Sequence, residues 1–557
     1  MIKVQEPAPV RSDAAPVRPG QSSLVANSMT GSMWTLVSRM TGLARILVLG
    51  AVLGATYLGN TYQGMNALPN LVYYQILAGS LFVSLLVPPL MRHIREGDRE
   101  RADTLVRGFF GGVLALGVIA MAAIMVAAPL ILRVFSLGVS DPHSAADQRR
   151  VGLVLLLLFA PQIPLYVVAG TGAAVMNAYG RFALAAGAPT IENVGIMVTL
   201  AAVAVVYGTG GTLSNVTTTE IVILGLGTTG AVALHATLEW LGARRSQPSM
   251  RPGLAWNDPE VRTVLVRIRA VLAYTGLATL QLVATMVIAN RVGGGLVAFQ
   301  LALNFFYLPT AIITWPVARA LVPRLAVFHQ TKNAVAFREE LGKALGLACF
   351  VTVPIAAAYA ASAHQIADIV AFGRLDTANA TEFVAVSLIA LSPAVIGETA
   401  FILGTYALYA QEDVRAPIRS MLVRVATTVI LMIPATQAHG SHVLLLIGAA
   451  FSGGSFVGAL HAWYQVDRRT PAGRTRSIRM LARTGLASVV MVAVGALAWR
   501  LTGDLGASRP AEVVRLGLAA AAGGTAYLGV QAWLHAPEMR LLRESGRLPV
   551  IGGRSVG

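Results

Sequence analysis

Apolar runs of roughly 20 to 30 residues recur along the whole chain, broken by short clusters of Gly, Pro, Asn, Asp and Arg, the pattern of helices long enough to cross a bilayer. It predicts fourteen spans, at 29–56, 61–90, 105–132, 151–178, 182–207, 219–242, 263–290, 296–322, 340–363, 383–410, 416–436, 442–466, 480–501 and 511–534. The expected fold is an all-α polytopic membrane protein: a six-helix bundle over 29–242, a cytosolic basic linker at 243–262, a second six-helix bundle over 263–466, a cytosolic basic loop at 467–479 and two further helices within 480–535. Residues 1–28, with Pro7, Pro9, Pro16 and Pro19 and no apolar core, read as a disordered cytosolic tail, and 536–557 as a basic cytosolic tail.

A faint internal repeat supports two bundles. Pro161 precedes Asn177 at the spacing by which Pro393 precedes Tyr409, and Leu68-Pro69 and Val87-Pro88 in the second span have counterparts in Leu308-Pro309 and Val322-Pro323 in the eighth. Many transporters are built from two such halves.

Composition sharpens the class. With 55% hydrophobic residues, 12% charged and a mean hydropathy of +0.66, the chain lies far from soluble proteins, where about a quarter of residues are charged. Most of the 43 Lys and Arg fall in the tails and even-numbered connections, eight fall in odd-numbered ones, and Arg39 and Arg45 alone are left inside spans. By the positive-inside rule both termini are cytoplasmic and the protein is multi-pass in the cell membrane. The net charge of +17 is then a topology signal, and no nucleic-acid partner is expected. Cys349, the sole cysteine, excludes an internal disulfide or a thiolate metal cluster. Gly225-Leu-Gly227-Thr-Thr-Gly230 fits a dinucleotide fingerprint, but its apolar run continues to about Leu241 and no acidic residue follows about 20 positions on, so close helix packing is expected instead. Without catalytic or metal-ligand spacing, no enzyme and no cofactor are expected.

The candidate chemistry is polar residues inside spans. An arginine at mid-bilayer costs about 2.5–3.5 kcal/mol or more, so Arg39 and Arg45 are expected to face a watery cavity or an anionic partner, unless Arg45 snorkels or Arg39 is a topogenic charge. Tyr62, Asn66, Asn70 and Tyr73 share a face of the second span, and Gln300, Asn304 and Tyr307 share one of the eighth. These stripes are either interhelical hydrogen-bonding groups or the lining of a solvated central cavity, and beside two arginines the cavity is expected. Glu192 and Glu398 read as the only carboxylates well inside spans, each either a proton or cation site or the partner of a neighbouring charge.

Ser38-Arg39-x-x-Gly42-x-x-Arg45, Leu68-Pro69-Asn70, Val87-Pro88, Pro189-x-x-x-Asn193 and Leu224-Gly225-x-Gly227-Thr-Thr, in this order within fourteen spans, resemble lipid II flippases of the MurJ/MviN type, part of the multidrug, oligosaccharidyl-lipid and polysaccharide exporter group. The resemblance covers about residues 28 to 535. It implies alternating-access transfer of a polyprenyl-pyrophosphate-linked peptidoglycan precursor from inner to outer leaflet, with Arg39, Arg45 and Asn70 carried over and a lipid-tail groove beside the last two helices. Cell-wall synthesis proteins are implied as possible partners. The familiar pattern has an acidic residue at Asn60 and arginines at Tyr73 and Asn304, where this chain is uncharged. The alternatives are a flippase for another polyprenyl-linked glycan, a cation-coupled multidrug exporter and a non-transporting cell-wall scaffold.

Overall fold

The computed structural model describes residues 21–71, 86–246, 250–253, 258–470, 475–506 and 508–539. They form helices and loops, with no strand among the described residues. The first lobe contains α1 (Gln21–Leu53), α2 (Tyr57–Leu71), α3 (Val87–Glu96), α4 (Arg99–Phe135), α5 (Pro142–Phe159), α6 (Gln162–Ala178), α7 (Phe182–Tyr207) and α8 (Thr218–Arg244). The second contains α9 (Pro259–Ala289), α10 (Gly295–Pro309), α11 (Trp315–Gln330), α12 (Ala334–Ala361), α13 (Ala363–Val370), α14 (Ala378–Ala410), α15 (Arg415–Leu431) and α16 (Ser441–Arg469), followed by α17 (Thr475–Leu501) and α18 (Arg509–Trp533).

The polar punctuation does the work of helix starts. Asp98 accepts from the Arg101 N–H at 2.9 Å, Asp141 from Ser144 at 2.8 Å, Asp258 from Glu260 at 2.9 Å and Asn333 from Ala336 at 3.0 Å, satisfying donors a helix cannot pair internally. Prolines shape the interiors. Pro309, which lacks an N–H, is followed by a π-helical turn at Thr310–Thr314, and the Thr310 hydroxyl bonds the Tyr307 carbonyl at 2.9 Å.

Twelve helices among the described residues are long and apolar enough to cross a membrane. The two other predicted spans are not among them: 61–90 includes residues outside those described, and in 263–290 the apolar helix is the shorter Ala273–Ala289. The predicted span at 151–178 also differs. It is α5 and α6, separated at Ala160-Pro161, and α5 begins at Pro142 within what was expected to be an external connection. Pro161 disfavours helix in the residue before it, whereas the equivalent Pro393 is accommodated inside α14.

The halves pack alike. In the first lobe α8 pairs with α6 and α7, and α7 with α1; in the second α16 pairs with α14 and α15, and α15 with α9. α9 itself bridges the lobes, because Glu260 in its first turn pairs with Arg92 at 2.7 Å while Gln281 bonds Thr428 of α15 at 3.2 Å. At one end a single apolar core runs through both lobes, joining Leu53, Leu58 and Phe159 to Leu296, Phe306 and Phe451. At the other end each lobe has its own core, one around Phe109, Tyr166 and Met176, the other around Phe337, Phe401 and Leu408. The molecule is therefore two legs fused at one end. α17 and α18 pack on each other and on α12, where the Tyr527 hydroxyl donates to the Phe350 carbonyl at 2.6 Å.

Candidate functional site: two lobes with two buried charge clusters

The fused end is sealed by hydrogen bonds as well as by apolar contact. Asn60 of α2 donates to the Val292 carbonyl at 2.8 Å and accepts from the backbone N–H groups of Leu296 and Val297 at 3.1 and 3.4 Å, so its amide caps the start of α10 on the opposite lobe. A carboxylate there could accept both N–H groups but could not donate to Val292. Asn290 adds bonds to the Phe135 carbonyl at 2.9 Å and to Gln148 at 2.9 Å, and Tyr57 donates to the Arg291 carbonyl at 3.0 Å. At the other end, where the Arg-rich connections lie, the two lobes keep separate cores.

α1 is seated on α7 by Asn193, whose amide donates to the Ser38 carbonyl and the Thr41 hydroxyl, both at 3.2 Å, and lies 3.6 Å from where a Cβ on Gly42 would be. Arg45 is one turn on from Thr41 and Gly42 and so shares the face turned to α7. It is half-buried, makes no hydrogen bond or ion pair among the described residues, and its charge acts on Glu192 and Tyr62. Arg39 is exposed. Their different surroundings follow from the roughly 120° between positions six apart on a helix.

Glu192 is the centre of a buried polar chain. Its side chain accepts from His235 Nδ1 at 2.7 Å, and its other oxygen lies 2.9 Å from the Tyr166 hydroxyl, which is 2.7 Å from Asn70 Oδ1. His235 Nε2 faces Glu239 one turn along α8 at 3.8 Å. Glu192, His235 and Glu239 are 3%, 0% and 1% exposed, so Glu192 has company the sequence reading did not include: Glu239 is also a carboxylate held inside the fold. The signal was present as a His and a Glu four apart on one predicted span.

The polar stripes serve partly as packing groups. Tyr62 is fully buried in the first lobe, its hydroxyl 2.6 Å from Thr228 and its ring edge-on to Phe159. Asn66 is buried and half-buried Asn70 donates to its carbonyl at 2.8 Å; Tyr73 lies outside the described residues. On α10, Gln300, Asn304 and Tyr307 are all half-buried, and Asn304 donates to the Gln300 carbonyl at 2.7 Å. Gly225 and Gly227 behave as expected of packing glycines, since a Cβ on either would overlap Leu158 of α5 or Thr199 of α7.

The second cluster corrects the charge assignment. Arg424, counted from sequence with a cytosolic connection, lies two turns inside α15, 5% exposed, and pairs with Glu398 of α14 at 2.6 Å. Its guanidinium sits 5.0 Å from the Phe401 ring centre and 5.4 Å from that of Phe451. Gly458 of α16 allows this, because a Cβ there would meet the Arg424 Cβ at 2.7 Å. Arg39 and Arg45 are thus not the only arginines at membrane depth. Pairing between spans has no signature in residue spacing.

Two helical lobes that share a core at one end and have separate cores at the other, each with a buried charge cluster, have the architecture of a membrane transporter. A sequence model of the family "Lipid II flippase MurJ" matches residues 49–506, starting just past Arg45. The probable lipid II flippase MurJ of Rhizobium tropici is 23% identical over 75% of this chain and 77% of its own length, and the lipid II flippase MurJ of Burkholderia cenocepacia is 24% identical over 70% and 74%. Among solved structures, a lipid II flippase MurJ in an inward closed conformation superposes with a TM-score of 0.71 at 17% identity, covering 92% of this chain and all of that one. An inward-facing multidrug resistance MATE family transporter superposes with a TM-score of 0.61 at 13% identity, over 80% of this chain and 98% of its own. The chain belongs to the lipid II flippase MurJ family.

Proposed function

We propose that this chain carries lipid II, a polyprenyl-pyrophosphate-linked peptidoglycan precursor, from the inner to the outer leaflet of the cell membrane by alternating access. The observation that carries this reading is the architecture, in a chain matched by this family over residues 49–506: two lobes share one continuous core at one end and have separate cores at the other, an arrangement that suits opening between them on one side. The open end bears the Arg-rich connections, so it faces the cytoplasm, with both termini on that side. Arg45, and more peripherally Arg39, supply the fork of donors that a pyrophosphate requires. Asn66, Asn70, Gln300, Asn304 and Tyr307 are the remaining headgroup candidates. Of the two coupling candidates, Glu398 is held by Arg424, which fits a fixed counter-charge, whereas Glu192, at the centre of its polar chain, lies within reach of the Arg45 charge. Complementation tests the transport reading. Expression in a bacterium depleted of its own flippase should restore growth and externally accessible lipid II; no rescue at normal membrane level would sink it.

Orientation has a separate check. In a Cys349→Ala background, Lys332→Cys at the open end should be shielded from an impermeant thiol reagent in intact cells and His439→Cys at the fused end should react; the reverse pattern would invert the topology. The prenyl chain is assigned to the apolar surface of α17 and α18 beside α12, where Val489 and Leu518 are exposed. A photoreactive group at Val489 should cross-link lipid II more than one at Leu422 on α15, and equal yields would remove the groove.

A further inference from the structure

The chain Asn70, Tyr166, Glu192, His235, Glu239 is more than interhelical packing requires. Two carboxylates flank one imidazole in a site closed to solvent, and Glu239 Oε2 has no hydrogen-bond partner among the described residues. α6 comes close enough to bury Glu239 because Gly172 lies against its backbone, where a Cβ would approach the Glu239 carbonyl oxygen to 2.7 Å. A carboxylate oxygen buried without a donor is costly, and taking up a proton relieves that cost. The titratable and charged groups facing His235 and its neighbours are Arg45 on α1, Tyr62 on α2, Tyr166 on α6, Glu192 on α7 and Glu239 on α8; α5 has no charged side chain beyond Arg150.

We propose that Glu192, His235 and Glu239 form a proton-binding site that loads in step with an anion at Arg45. The inference rests on the reading that Arg45 receives the pyrophosphate. With His235 protonated and both carboxylates ionised the cluster carries one net negative charge, which Arg45 balances. A pyrophosphate engaging Arg45 claims that balancing charge, and the cluster recovers neutrality by taking one proton from water onto Glu239. No other bond forms or breaks. Tyr166 acts as a positioning residue, because its single hydroxyl proton serves Asn70 or Glu192 but not both at once. The same coupling works in reverse: a proton on the cluster frees Arg45 for the anion, so affinity rises as pH falls, by about tenfold per pH unit where one proton is exchanged. The loaded complex, with the proton on Glu239, then carries one negative charge fewer than it would without it.

The test is calorimetry of lipid II binding to the detergent-solubilised full chain near pH 8, in two buffers of different ionisation enthalpy. Wild type should take up about one proton per lipid II bound, and Glu239→Gln and His235→Gln, each chosen to keep a hydrogen-bonding side chain, about none. Binding without proton uptake in wild type, or uptake undiminished in both variants, overturns the coupling and leaves the transport reading standing. Absence of lipid II binding to folded wild type overturns the transport reading and the coupling with it. The wild-type proton count decides the matter even if a variant fails to fold.

Discussion

Arg45→Ala is expected to lose lipid II binding by about 2–5 kcal/mol, roughly 30- to 5,000-fold in Kd, and to fail complementation at wild-type membrane levels. Arg45 is half-buried on the face turned to α7, has no fixed partner among the described residues, and is close enough for its charge to act on Glu192. A charge desolvated to that degree and left uncommitted is poised for a ligand. Arg45→Lys should recover only part of the affinity, since it keeps the point charge and loses the planar fork. Arg39→Ala should cost far less, about 0–1 kcal/mol, because an exposed side chain interacts through screened solvent. A topogenic arginine would tolerate lysine fully and a snorkelling one would tolerate glutamine. Unchanged headgroup affinity in Arg45→Ala, measured by equilibrium binding of lipid II, therefore moves the anion site elsewhere.

The contrast between the two arginines shows where sequence reading reaches its limit. The spans follow from apolar run length, and α7 coincides with its predicted bounds at 182 and 207, because hydrophobic length and bordering Gly and Arg are local properties. Small-residue packing at Gly225 and Gly227 was legible for the same reason. The break at Ala160-Pro161 was not, since an identical proline in α14 leaves that helix continuous and only the surrounding packing differs. Tyr62 lies on a polar stripe, yet its hydroxyl is used up inside the first lobe by Thr228, because which way a face points depends on the neighbour it meets. Asn60 shows the same in reverse: a departure from the familiar acidic residue, it makes one donor and two acceptor contacts across the lobes that an ionised carboxylate could not make together. Charge counting by topology failed at Arg424, whose counter-ion comes from another helix.

That pair carries the second large effect. Arg424→Met is expected to destabilise the folded chain by about 3–5 kcal/mol, because it strands the Glu398 carboxylate in a nearly dry site between α14 and α15. Glu398→Leu should cost a similar amount by stranding Arg424, whose guanidinium is enclosed by Phe401, Phe451 and the backbone passing at Gly458. The double variant Arg424→Met/Glu398→Leu should recover most of the loss, since replacing a buried ion pair by apolar groups is often neutral or better. Thermal unfolding of the four proteins in detergent gives the coupling energy, and complementation by the double variant gives the meaning of the pair. Retained transport with restored stability marks it as a fixed strut between α14 and α15. Restored stability with transport lost would return Glu398 to the coupling machinery, and single variants within about 0.5 kcal/mol of wild type would show that water reaches the pair and that the second lobe holds no desolvated charge.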